Sequence, residues 1–211
     1  MNEQNHSVIN ISVCRGCSHA NYQGDELVNK IQKAVDDSAL EKTIKDYTKT
    51  GFLSHHPFQI TIARCPNSCS RPQLADISIV AMNKPVLTDN YCIMCAKCVR
   101  ECKENSIVLG DIKPIINYDS CINCGDCIRV CPSGTISTLG TEFQFSVGGR
   151  LGRHPRFAME MGKTESVEKI VEWAKKTMQF YIDNIKGEER FSVVLDRYGI
   201  NNYQQNILGI R

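Results

Sequence analysis

Eight cysteines in two runs of identical spacing constrain this chain more than anything else in its 211 residues. The first run is Cys92-x2-Cys95-x2-Cys98-x3-Cys102. The second is Cys121-x2-Cys124-x2-Cys127-x3-Cys131, followed by Pro132. A tight turn through C-x2-C-x2-C aims three thiolates at one point and leaves the fourth out of local reach. The fourth must then come from the other run. A single C-x2-C could serve zinc or a redox dithiol. Two complete copies leave little room for zinc, which settles for four ligands grouped as two pairs. A disulfide framework suits a secreted chain, and Met1 to Ser7 lacks the basic-then-apolar pattern of a signal peptide.

The spacing and its closing proline are those by which bacterial-type ferredoxins hold two 4Fe–4S clusters. One cluster is expected on Cys92, Cys95, Cys98 and Cys131, the other on Cys121, Cys124, Cys127 and Cys102. A cytoplasmic, reducing and anaerobic setting suits such thiolates. No apolar stretch approaches the roughly 20 residues that span a bilayer. No basic stripe with interleaved aromatics points to nucleic acid. The formal charge of +2 omits the clusters; at about −2 each, three would bring the loaded chain to roughly −4.

Hydrophobic patterning places these runs inside a larger α/β unit. Val8 to Val13 alternates and is β-branched, which predicts a strand ending at Cys14 and Cys17. Asp25 to about Tyr47 has helical spacing at Leu27, Ile31, Val35 and Ile44, with a break at Asp36, Asp37 and Ser38 and a close at Gly51. Phe58 to Ala63 predicts a second strand, delivering Cys65 and Cys69, and Ile77 to Ala81 a third. The cysteine runs occupy Pro85 to about Leu139 as an internal repeat, each copy ending in short apolar residues (Ile107-Val108; Ile136). Phe143 to Val147 resumes strand alternation, and a Gly/Arg loop follows from Gly148 to Arg156. Ser166 to Ile185 is an amphipathic helix. Glu188 to Tyr198 reads as a last helix, and the final dozen residues as loose and polar. The strands on either side of the cysteine runs are expected to pair, which sets the runs near Cys14, Cys17, Cys65 and Cys69. Those four could be structural cysteines, a zinc site or a third 4Fe–4S cluster; the iron–sulfur setting favours the cluster.

Arg64-Cys65-Pro66-Asn67-Ser68-Cys69-Ser70-Arg71-Pro72, then Leu74-Ala75-Asp76-Ile77, closely resembles the second cluster-binding motif of sirohaem sulfite and nitrite reductases. Gly148-Gly149-Arg150-Leu151-Gly152-Arg153-His154-Pro155 is similar to the family's glycine-rich loop. Glu189-Arg190-Phe191 and Arg197-Tyr198-Gly199 resemble its last helix. The resemblance runs from Val8 to Gly199 and to the second half of dissimilatory-type members, which carry an inserted ferredoxin module. It implies an α+β fold: a sirohaem-reductase-like α/β half-unit from 1–84 and 140–211, interrupted at 85–139 by a bacterial ferredoxin-like domain with two 4Fe–4S clusters. It implies a third cluster on Cys14, Cys17, Cys65 and Cys69, and Cys69 as the thiolate shared with sirohaem.

The chain departs from the family in two ways. Its leading motif is Cys14-x2-Cys17, with Ala20 where the family's C-x5-C places its second cysteine. It also matches only the second half of the family, whose first half supplies much of the haem cradle, so a sirohaem site is expected to need a partner subunit, a second copy or an unusually open pocket. The residues the resemblance sets toward sirohaem or an oxyanion are Arg15, Arg64, Asn67, Cys69, Arg71, Arg150 and Arg153, with His154 and Arg156 nearby. Arginine suits bidentate carboxylate contacts, although such a loop could equally anchor itself to backbone carbonyls. His55 and His56 read as surface, and His19 as a core or surface residue or part of the cluster's surroundings. The expected function is a small sulfite- or nitrite-reductase-like oxidoreductase, carrying electrons from the ferredoxin clusters to a cluster coupled to sirohaem. The alternative is a haem-free electron-transfer subunit of a larger redox complex. A redox sensor lacks any DNA-binding element.

Overall fold

The β-branched runs become strands here, and the two central ones, 58–63 and 77–82, find cover on both faces. The computed structural model describes residues 8–48 and 57–210; Gly51, His55 and His56 lie outside them. β1 (Ile9–Val13) leads into α1 (Glu26–Asp36) and α2 (Leu40–Tyr47), and the chain returns as β2 (Phe58–Ala63), parallel to β1 with Val13 beside Ile62. β3 (Ile77–Met82) adds in parallel on the far side of β2. The predicted helix breaks where expected. The Ser38 hydroxyl donates to Val35 O at 2.7 Å and accepts from Leu40 N at 3.3 Å, closing one helix and opening the next.

Residues 83–141 form a separate, smaller body. β4 (Val86–Leu87), α3 (Lys97–Glu101) and β5 (Ile107–Leu109) are followed by β6 (Pro114–Ile116), α4 (Asp126–Arg129) and β7 (Ile136–Ser137). β4 pairs with β7 and β5 with β6, both antiparallel, so the outer strands close around the inner pair. Its small core is Cys98, Ile107, Ile116, Cys127 and Ile136.

β8 (Glu142–Val147) then rejoins the large sheet antiparallel to β3, with Ile77 opposite Val147. The strands on either side of the cysteine runs therefore pair, as the sequence predicts. β9 (Met159–Thr164) adds an edge that the sequence reading did not include, giving the order β1-β2-β3-β8-β9. Its alternation is blurred by Gly162, where a Cβ would press at 3.3 Å on Trp173 and Ile210. α5 (Val167–Asn184) starts at Ser166, whose hydroxyl accepts from Lys169 N at 3.1 Å. α6 (Phe191–Tyr198) follows.

Ile60, Ile62, Ile77, Ile79, Phe143, Phe145 and Val147 line one sheet face and meet Leu27, Ile31, Ile170, Ala174 and Met178 of the helices. The final residues are not loose. Ile200–Asn202 and the wide turn Tyr203–Leu208 continue the helical path. Tyr203 is fully buried, stacks edge-on against Phe180 at 5.0 Å and meets the Thr177 hydroxyl at 2.5 Å. Tyr203 and Leu208 supply apolar area that polar neighbours hide from a pattern search. Among the described residues, no helix is long and apolar enough to cross a membrane.

Asp76, just before β3, is 3% exposed. Its Oδ2 accepts from Gln59 N at 2.9 Å, and its Oδ1 has no partner. Burial pushes its pKa up to about 6, against the Gln59 N–H and the Arg190 charge. An acid whose pKa rises on folding favours the fold only while protonated. The Asp76 contribution is therefore expected to be greatest below about pH 4, to fall by about 3 kcal/mol as pH rises toward 6, and to level off above. The difference in denaturant midpoint between wild-type and Asp76→Asn chains across this range isolates it from the opposite trend of depressed carboxylates such as Asp126 and Asp196.

Candidate metal centre

The parallel register of β1 and β2 fixes the first thiol group. Cys14 N donates to Ile62 O at 3.1 Å, and Arg64 N donates to Cys14 Sγ at 3.0 Å. Cys65 comes next and is buried, Cys14 is half-buried, and Cys17 and Cys69 are exposed. The loop beyond Cys65 turns sharply through Ser68 (φ 52°) and Arg71 (φ 57°), both left-handed. Burial pushes the Cys65 thiol up, the Asn67 backbone N–H pulls it down, and the charges of Cys14, Cys17 and Cys69 push it up further. The four thiols are thus electrostatic neighbours.

The two cysteine runs share one backbone pattern. Met94 (φ 56°) and Ala96 (φ 58°) in the first match Asn123 (φ 58°) and Gly125 (φ 76°) in the second; Asn105 (φ 52°) matches Gly134 (φ 66°). Successive left-handed turns point backbone N–H groups inward and make a nest for negative charge. Ser106 N donates to Cys102 Sγ at 3.3 Å and Ile136 N to Cys131 Sγ at 3.4 Å. Burial raises the Cys98 thiol, and Cys131 and Cys92 add to the rise. Cys127 is pushed up to about 12 by burial, with Cys124, Cys121, Cys102 and Cys98 adding to it. Cys124 is raised to about 11, mainly by burial. Cys131 is thus an electrostatic neighbour of Cys98, and Cys102 of Cys127. Cys131 is the exception in direction: burial would raise it, but N–H groups of Ile136, Ser133 and Thr135 and the Ser133 hydroxyl hold it below the usual range.

The two bodies meet close to these thiols. Asn67 lines the same cavity as Cys102, Cys121, Cys124 and Cys127, so it faces the second set of thiols. His19 lies 2.9 Å from Asp126, Arg129 donates to Asn21 at 3.0 Å, and Asn83 N donates to Asn123 O at 2.8 Å. Asp126 would be raised by burial, but His19 and Arg129 outweigh this and hold it below the usual carboxylate range. Asn21, Asp126 and Arg129 carry no motif and are not legible in the sequence. His19 stands out there only for its closeness to Cys17.

The arginines divide into two groups. Arg64 is buried and donates to Tyr22 O and Gly24 O, both at 3.2 Å, and to Asp25 at 2.6 Å. Arg150 donates to His154 O at 2.9 Å and Asp196 at 2.7 Å; Arg156 holds Gly148 O and Asp196. These side chains brace the loops they sit in. Arg15, Arg71, Arg153 and His154 are exposed. Gly149 N donates to Ala75 O at 2.9 Å, so the glycine-rich loop lies directly on the turn after Cys69.

This donor set fits iron–sulfur clusters. It is all thiol, several thiols accept N–H bonds, and burial makes free thiolates costly unless metal neutralises them. Among the described residues, no three or more His, Cys, Asp or Glu side chains converge to hold a single metal ion. Tetrahedral zinc would draw thiolates to roughly 3.8 Å of one another; a cubane spreads them over four irons.

At Gly149, an added Cβ would come within 2.6 Å of Gln73 O and 2.7 Å of Ala75 O. Gly149→Ala is expected to destabilise the chain by about 1–3 kcal/mol and to lower iron retention at the neighbouring Cys65–Cys69 turn. Thermal melting and iron content check both.

Residues 3–210 match the family described as nitrite and sulphite reductase 4Fe-4S domain. The coenzyme F420-dependent sulfite reductase of Methanocaldococcus jannaschii is 31% identical over 175 residues, covering 82% of this chain and 28% of that protein. One subunit of the anaerobic sulfite reductase of Salmonella typhimurium is 28% identical over 101 residues, covering 46% of this chain and 25% of that protein. The matches span about a quarter of these curated relatives' length. The crystal structure of dissimilatory sulfite reductase I superposes with a TM-score of 0.63 at 14% identity, over 95% of this chain and 52% of that one, a likeness of fold.

Proposed function

The chain belongs to the nitrite and sulphite reductase 4Fe-4S domain family, and from that premise we propose that it is the electron-delivering part of a sulfite- or nitrite-reducing oxidoreductase. The observation that carries the reading is a cavity that the Cys65–Cys69 turn shares with the thiols of the cysteine runs. Asn67, inside the Cys65–Cys69 turn, lines one cavity with Cys102, Cys121, Cys124 and Cys127. In this reading 85–139 is a ferredoxin-type domain within a unit formed by 1–84 and 140–211. Cys92, Cys95, Cys98 and Cys131 hold the outer cluster; Cys121, Cys124, Cys127 and Cys102 hold the middle one; Cys14, Cys17, Cys65 and Cys69 hold the inner one. Bound clusters supply one-electron steps, which a multi-electron reduction of sulfite or nitrite needs in sequence.

The chain's residues divide the work around these centres. Arg64 N and Ile136 N donate to Cys14 and Cys131 sulfurs and bias their potentials upward. Buried Cys65 keeps water from one side of the inner centre, while exposed Cys17 and Cys69 present the other side outward. Cys69 would help hold a sirohaem on that open side, and the exposed Arg15, Arg71 and Arg153 would meet its carboxylates or an oxyanion. A partner subunit or a second copy completes the pocket. The arrangement of Arg64 and Arg150 supports a second reading, a haem-free electron carrier in a larger complex, because both guanidinium groups are already engaged by their own loops.

Anaerobic purification with iron and acid-labile sulfide counts and a visible spectrum separates the two. Iron near 13 per chain with a red chlorin-type band is expected for three cubanes and sirohaem, and near 12 without the band for the carrier. Cys69→Ser is expected to abolish the red band and leave the signals of the other two clusters. Cys131→Ser is expected to lose the outer cluster alone; loss of the middle cluster instead would overturn the crossed ligand sets.

A further inference from the structure

Resting on that reading of the middle and inner centres, we propose that His19, Asn21, Asp126 and Arg129 form a latch that fixes the gap between them. The four side chains are not thiol ligands, yet each sits on a ligand-bearing segment. His19 is two residues past Cys17, and Asp126 lies between Cys124 and Cys127. His19 Nδ1 and Asp126 Oδ1 are 2.9 Å apart across the two bodies. Arg129 pairs with the same carboxylate oxygen and also donates to Cys124 O at 3.1 Å and Asn21 Oδ1 at 3.0 Å.

Asn21 ties the latch to the sheet. Its backbone N donates to Arg64 O at 2.7 Å, its side-chain amide donates to Ala81 O at 3.2 Å, and its carbonyl accepts from Thr141 Oγ1 at 3.0 Å. The approach is close: a Cβ on Gly125 would lie 2.7 Å from Asn21 Oδ1 and 3.2 Å from Asn83 Cβ. These bonds run from one ligand loop to the other and are tied to β3 at Ala81. Asp126 is largely buried at the junction, where an apolar side chain would fill space more cheaply than a carboxylate. Directional bonding, rather than packing alone, is what the position supplies. The four are positioning residues for electron passage between the centres.

The test uses the full chain, purified without oxygen, with iron and sulfide counted first. Reduced protein is then examined by EPR for the magnetic interaction between the two centres. Exchange of the Asn83 amide, which is bonded to Asn123 O, is followed in the same samples. His19→Ala is expected to keep its iron, to weaken the interaction and to speed Asn83 exchange about fivefold, the opening expected when a bond worth about 1 kcal/mol is lost. His19→Asn, whose Nδ2 takes the place of the ring Nδ1 and can still donate to Asp126, is expected to restore both. Asn21→Ala provides a second break at a residue further from the thiols. Wild-type magnetic interaction in loaded His19→Ala and Asn21→Ala chains overturns the latch alone. A wild-type chain lacking iron at either of the two centres overturns the underlying reading and the latch with it.

Discussion

The parallel pairing of β1 with β2 governs the chemistry of this chain. Because Val13 lies beside Ile62, Cys14 emerges next to Arg64, and Cys65 follows within reach. A slip of one residue would invert every side chain of β1 relative to its neighbour. It would carry Ile9, Ile11 and Val13 off the core and break the N–H bond to Cys14 sulfur. The apolar face that stabilises the sheet therefore also sets the spacing of the thiols. Stability and ligand geometry share one cause, so the site needs no separate scaffold.

The smaller body solves the same problem by repetition. Its left-handed residues fall at matching places in both runs, and β4–β7 and β5–β6 close the halves around each other. Few residues are available for its core, and Cys98, Cys102, Cys127 and Cys131 are part of that core or pack on it. Thiols raised by burial are poor anions. A core of this kind is completed by metal, as in other small metal-dependent domains.

Much of this was legible in the sequence because it rests on local pattern. The strands Phe58–Ala63 and Ile77–Met82, the break after Asp36 and the pairing of the strands flanking the cysteine runs all follow from alternation and spacing. What escaped was set by distant contacts. β9 hides behind Gly162, which exists to admit Trp173 and Ile210. The C-terminal turn is interrupted by polar residues, yet Tyr203 and Leu208 anchor it in the core. The arginines of the glycine-rich loop carry the right chemistry for a ligand, but Asp196 on α6 claims Arg150 and Arg156, and no short motif announces that partner. The junction residues around Asp126 belong to the same class.

The antiparallel pairing of β3 with β8 has a topological consequence. The chain leaves the large sheet at Met82 and rejoins it at Glu142, on neighbouring strands. Thr141 Oγ1 and Asn83 Oδ1, at the two crossing points, are 2.9 Å apart. To the sheet, the whole intervening segment is the turn of a β-hairpin. Since loop-closure entropy grows only with the logarithm of loop length, lengthening such a turn taxes the sheet little. The adjoining ends of two central strands make a natural socket, where an intervening segment can be gained or lost without disturbing the register on either side.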